Sequence, residues 1–244
     1  MDPIKRFKQE RTERISAYKE NQDLQSATAD FMRASLDALY SYNFTWLGRP
    51  VIQYPQDLMA LQEIVWRLRP DLIIELGIAH GGSLIYQASL LELCGGRGEV
   101  VGVDIDIRSH NRAEIEAHPL SHRISMIEGS SVEPEVVDQV RARAAGAETV
   151  MLCVDSMHSH AHVLQELELY APLVTPGSYA VVFDGIIEHM PESFSAERPW
   201  GPGDNPLTAT RAFLQKHHDF EVDEALEDKL QITAAPSGYL RRTL

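Results

Sequence analysis

The sequence predicts an α/β protein: a mostly parallel sheet covered by helices on both faces, with a helical arm in front of it. Three observations lead there. Short continuous apolar runs recur between residues 72 and 184, and such runs mark strands buried on both faces. Segments of helical period separate them, as crossovers between parallel strands require. Several runs also end in an acid with small residues beside it, and the carboxyl ends of strands are where such sheets hold ligands.

The arm is residues 1–44. Residues 3–21 are charged and helix-favouring, and residues 26–41 carry Phe31, Leu36, Leu39 and Tyr40 at helical spacing. That face is expected to pack on the main domain or on a second subunit, and a homo-oligomer is expected. The main domain is residues 45–244. At its start NFTWLGRPVIQYPQDL carries Pro50 and Pro55 and reads as an extended connector. A helix over 57–68 is stopped by Pro70. Strands follow at 72–76, 99–105, 123–129, 149–155 and 178–184. Helices are expected at 83–94, 133–145, 160–170 and 206–217. FEVDEAL and the terminal GYLRRTL are the candidate last strands. The loop 195–206, SAERPWGPGDNP, follows the fifth strand and is placed to cover a substrate; loops of this length are often functional.

Composition narrows the function classes. A net charge of −14 over 244 residues argues against sequence-independent binding to nucleic acid or to anionic lipid. It leaves room for a small phosphate-containing ligand. No stretch approaches the roughly 20 apolar residues of a membrane span. The N-terminus, MDPIKRFKQERTERI, has no apolar leader. Two cysteines, Cys94 and Cys153, read as free buried thiols rather than a disulfide framework or a zinc site. A cytoplasmic protein is expected.

The first strand end reads DLIIELGIAHGGS, residues 71–83. Glu75, Gly77, Ala79, Gly81, Gly82 and Ser83 make a tight strand-to-helix turn that lets a ligand approach the backbone and the helix N–H groups. The second strand ends in Asp104, placed to accept hydrogen bonds from two ribose hydroxyls. Together they point to a nucleoside-containing cofactor. A pyrophosphate turn follows G-x-G-x-x-G. Here the pattern is E-x-G-x-A-x-G, and an acid before the first glycine suits a cation. S-adenosylmethionine carries a sulfonium and an ammonium, so a methyltransferase is favoured over a dehydrogenase. Glu128, Ser130 and Ser131 at the end of the third strand are expected near the adenine end, and Ser131 reads equally as a helix N-cap before Pro134. Asp155, His158 and His160 follow the fourth strand, and Asp184 follows the fifth. Two carboxylates on neighbouring strand ends make a candidate Mg²⁺ site.

The runs GVDIDIRSHNRAEIEAHPLSHRISMIEGSS, VDSMHSHAHVLQELELYAPLVTPGSYAVVFD and GPGDNPLTATRAFL, and the ending APSGYLRR, resemble the cephalosporin hydroxylase family, which also includes rhamnosyl-type sugar O-methyltransferases. The likeness covers residues 45–244. It implies a Rossmann-like class I S-adenosylmethionine-dependent methyltransferase fold of seven strands with the last antiparallel. It implies that the 75–83 turn and Asp104 hold the cofactor, and that Mg²⁺ is held by Asp155 and by an acidic pair after the fifth strand. Asp184 matches the second member of that pair. The first is Phe183 here, which leaves Glu188 or a water to complete the set. His158 is the expected general base or substrate contact. The acceptor implied is a hydroxyl of a sugar or secondary metabolite. Two other readings stay open: an oxygenase with an iron(II) triad of His158, His160 and Asp155, and a catalytically inactive cofactor-binding partner.

Overall fold

The computed structural model describes residues 2–244. The arm is two helices, Pro3–Ala17 (α1) and Gln22–Asp37 (α2). Asp2 and Asn21 cap them, each side chain accepting a backbone N–H of the first turn. The arm packs on its own domain. Lys19 Nζ reaches Glu224 Oε2 at 3.2 Å and Asp228 Oδ2 at 3.1 Å, and Met32 and Ser35 of α2 are buried. The second arm helix stops at Asp37, short of the expected residue 41, where Leu39 turns left-handed at φ 50°.

The connector is not simply extended. Phe44–Trp46 (β1) and Arg49–Val51 (β2) pair as an antiparallel hairpin. Its turn residues, Leu47 and Gly48, both have positive φ, the geometry that matches strand twist in two-residue hairpins. Sequence reading missed it because a leucine stands where Asn or Gly is usual. Pro50 is tolerated because both strands are edges.

From there the elements alternate as expected: Pro55–Leu68 (α3), Leu72–Leu76 (β3), Gly82–Cys94 (α4), Glu99–Asp104 (β4), Ser109–Glu116 (α5), Ile124–Glu128 (β5), Pro134–Ala144 (α6), Val150–Val154 (β6), His160–Tyr170 (α7), Tyr179–Val182 (β7), Glu192–Ser195 (α8), Pro206–Leu214 (α9), Phe220–Val222 (β8), Glu224–Leu230 (α10) and Tyr239–Arg242 (β9). The sheet has seven strands in the order β5-β4-β3-β6-β7-β9-β8. Only β9 runs against its neighbours. FEVDEAL was expected as one strand. Its first three residues are β8, and its end starts α10, where Asp223 accepts the Leu226 N–H and caps the helix. Helix α5, with only Asn111 and Ile115 buried, had too faint an apolar face to be read.

Alternate residues of each strand feed two cores. Ile73, Val100, Met151, Tyr179 and Val181 pack with α3, α4 and α10. Leu72, Ile74, Leu76, Val101, Leu152 and Val182 pack with α6, α7 and α9. Among the described residues no helix is long and apolar enough to cross a membrane. The strand order reverses at β3, with β4 on one side and β6 on the other. That is the switch point outside which α/β sheets hold ligands.

Candidate functional site

A cavity of ≈ 450 Å³ lies over the carboxyl ends of β3 to β7. Gly77, Ala79, Asp104, Ser130, Ser131, Asp155, His158 and Asp184 all line it, so most of the candidates drawn from five separate stretches of sequence face one space. A smaller cleft of ≈ 40 Å³ lies between residues 50–53 and the glycine turn, with Gly77, Ala79, Gly82, Ser83 and Asp155 on its walls. Glu75 and Gly81 line neither.

The glycines are required first by the protein itself, not only by a ligand. A Cβ on Gly77 would sit 1.9 Å from the Asp155 carbonyl oxygen, and one on Gly82 2.0 Å from the Pro50 carbonyl oxygen. Gly81 stands at φ 78°, against Ile115. Glycine therefore lets β6, the hairpin and α5 crowd the turn. Asp104 braces it: Oδ2 accepts the Ile78 and Ala79 N–H groups at 2.8 and 3.2 Å, and Oδ1 accepts the Asp106 N–H at 3.1 Å.

Glu75 is buried under the turn, its two oxygens accepting from Ser83 Oγ and Gln87 Nε2. Burial pushes its carboxyl up to about 8, with the Ser83 and Gln87 hydrogen bonds acting the other way. A folded value above the unfolded 4.5 means stability that is full below pH 4.5 and lost as pH rises through 8. In urea melts the advantage of wild type over Glu75→Gln should fall between pH 4.5 and about pH 8 and level off above that. A difference that stays flat over that range would mean Glu75 does not titrate there.

Asp155, His158 and Asp184 form the centre of the cavity, each offering a ligand atom within 4.8 Å of the others. His158 Nε2 lies 3.5 Å from Asp184 Oδ2. Both residues are left-handed, His158 at φ 63° and Asp184 at φ 57°, a conformation that Asp and His tolerate better than most non-glycine residues. Burial, then Asp184, then Glu75 raise the Asp155 carboxyl well above the usual carboxylate range. A cation between the two acids would relieve that repulsion, so the residues fit a divalent metal. Phe183 is buried in the core, 3% exposed, packed with the residues under α3, α4 and α10, and it does not line the cavity. Glu188 does not replace it; its carboxylate takes the Gly203 N–H and the Asn205 side-chain amide.

His160 is a correction. It opens α7 with its N–H on Asp204 Oδ1 at 2.6 Å and its Nδ1 2.8 Å from Thr208 Oγ1, and it does not line the cavity. The triad of two histidines and Asp155 is therefore not assembled. Ser131 is another: α6 is entered through Glu133, and Ser131 Oγ instead donates to buried Glu166 at 2.5 Å and lies 3.0 Å from His162 Nε2.

Several wall residues had no signal in the sequence. Gln53, 5% exposed, donates from Nε2 to Asp155 Oδ2 at 3.0 Å. Tyr54, Met190 and Trp200 join Met32 of the arm in a third apolar cluster over the cavity. The loop 195–206 does reach the site: Trp200 is buried, its ring edge-on to His158 at 5.6 Å.

Residues 38–243 match the family described as rhamnosyl O-methyltransferase/CmcI. A rhamnosyl O-methyltransferase of Mycobacterium tuberculosis (strain H37Rv) is 32% identical over 203 residues, covering 81% of this chain and 78% of the relative. Among solved structures, ligand-free CmcI superposes with a TM-score of 0.62 at 21% identity, over 83% of this chain and 77% of that one. CmcI with Mg and SAM gives 0.59 at 20%, over 83% and 78%.

Proposed function

This chain belongs to the rhamnosyl O-methyltransferase/CmcI family, and on that premise we propose that it transfers the methyl group of S-adenosylmethionine to a hydroxyl of a sugar or a sugar-bearing natural product. The observation that carries the reading is the meeting of the Asp155–His158–Asp184 cluster with the braced glycine turn in one cavity. CmcI, of the same fold, has been solved with Mg and SAM, and the curated relative is named for a rhamnosyl acceptor.

In this reading Asp104 takes the ribose, Ser130 and Ser131 flank the purine, and the turn from Gly77 to Ser83 takes the amino-acid end. The bound cofactor supplies an electrophilic methyl group on sulfur. Mg²⁺ prefers oxygen ligands, which assigns it to Asp155 and Asp184; when bound it lowers the pKa of an acceptor hydroxyl and orients it. His158 is then left to take the hydroxyl proton. Trp200 and Tyr54 hold the acceptor and shut out water, which aligns the oxygen for in-line attack. The reaction needs one proton acceptor and one aligned oxygen, and the cluster and the apolar wall supply them. A cytoplasmic location fits two free thiols, Cys94 and Cys153.

The test is transfer of labelled methyl from S-adenosylmethionine to a rhamnosylated acceptor. Transfer is expected in the wild type and should fall about 10²- to 10⁴-fold in His158→Gln, the usual worth of a positioned general base. Undiminished turnover in His158→Gln would remove the base role.

A further inference from the structure

Gln53 stands out among the buried groups that the reaction does not use. Its residue is 5% exposed. Its Nε2 donates to Asp155 Oδ2, while its Oε1 is buried without a hydrogen-bond partner. The amide cannot be turned round at no cost, since Oε1 would then face the carboxylate. Buried polar atoms are nearly always satisfied, so an unpartnered acceptor on a residue that lines both the cavity and the cleft points to a donor that arrives with a ligand, reached by a small turn of the side chain.

The cleft it faces says which donor. Gln53 and Asp155 both line it. So do Gly82 and Ser83, which begin the 13-residue helix α4. Gly81 gives that helix no side-chain cap, so its first N–H groups keep the unpaired positive end of the helix. The lining thus combines the acceptors of Gln53 and Asp155 with the N–H groups of the helix start. At ≈ 40 Å³ the cleft has room for about three waters, at roughly 10–15 Å³ each. That is the scale of an ammonium beside a carboxylate.

We propose that Gln53 reads the amino-acid end of the cofactor, with Oε1 accepting a hydrogen bond from the ligand's α-ammonium while Nε2 holds Asp155 in place. The inference rests on the S-adenosylmethionine reading above. It makes Gln53 a specificity-determining residue, and it ties occupancy of the cofactor's amino-acid end to the placement of Asp155.

The experiment titrates wild type, Gln53→Met and Gln53→Glu with three probes: S-adenosylhomocysteine, its des-amino analogue and 5′-methylthioadenosine. Wild type should prefer S-adenosylhomocysteine to the des-amino analogue. Gln53→Met, which keeps the shape and loses the acceptor, should weaken S-adenosylhomocysteine about 10- to 100-fold, the worth of a hydrogen bond to a charged group. It should leave 5′-methylthioadenosine unchanged. Gln53→Glu keeps an acceptor oxygen and should retain the preference for the amino-bearing ligand. If Gln53→Met does not fold, Gln53→Asn withdraws the oxygen by one carbon and should show the same selective loss. Equal weakening of all three probes, or no weakening, overturns the proposal while leaving the cofactor reading intact. Failure of wild type to bind any probe overturns both.

Discussion

Asp155→Asn is expected to stop methyl transfer while leaving a folded protein that still binds S-adenosylhomocysteine. The substitution removes a negative charge from a place where burial and three other carboxylates, Asp184, Glu75 and Glu166, already oppose it, so stability should hold or rise. The shape is kept, and the new Oδ1 can still accept from Gln53, which now holds Asp155 Oδ2 at 3.0 Å. What is lost is half of the acidic pair that fits a cation. Loss of metal-assisted charge stabilisation is worth several kcal/mol, so the rate should fall about 10²- to 10⁴-fold. Single-turnover transfer of labelled methyl, run beside calorimetric titration, separates the two effects. Lost binding with unchanged single-turnover chemistry would place Asp155 in cofactor binding alone.

Gly77→Ala is expected to damage fold and site together. The added Cβ would lie 1.9 Å from the Asp155 carbonyl oxygen, on a backbone held at φ +102°. That atom is main chain at the end of a central strand and cannot swing aside. Either the turn or the β6 end carrying Asp155 must move, at about 3 kcal/mol or more once overpacking and the left-handed strain are combined. The denaturation midpoint should drop, and S-adenosylhomocysteine affinity should fall with it. A variant with an unchanged midpoint would mean that the close approach of these two strand ends is not rigid.

Much of this was legible in the sequence because parallel strands leave a plain trace. LIIEL, EVVGVD and VMLCV are continuous apolar runs, and the sheet buries them on both faces. Once the strands are placed, topology alone brings their carboxyl ends together, so Asp104, Asp155, His158 and Asp184 could be named from sequence. The glycines at 77 and 82 were found for an incomplete reason. Their neighbours are carbonyls of Asp155 and Pro50, distant in sequence and invisible to local pattern. Gln53 lay hidden in IQYP, a stretch with no period, because its role comes only from the fold laying the connector against β6. The apolar cluster of Met32, Tyr54 and Trp200 joins three segments far apart in the chain. His160 was misread for the converse reason: nearness to Asp155 in sequence put it at the strand end, although it opens the helix expected from residue 160, where its ring meets Thr208.

The most direct test of the account is calorimetric titration of the purified protein with S-adenosylhomocysteine, compared with Asp104→Ala. One site per chain with micromolar affinity is predicted for the wild type, weakened when the brace under Ile78 and Ala79 is removed. Absence of binding in the wild type would contradict the account at its centre, since the turn, Asp104 and the cavity would then have no cofactor to hold.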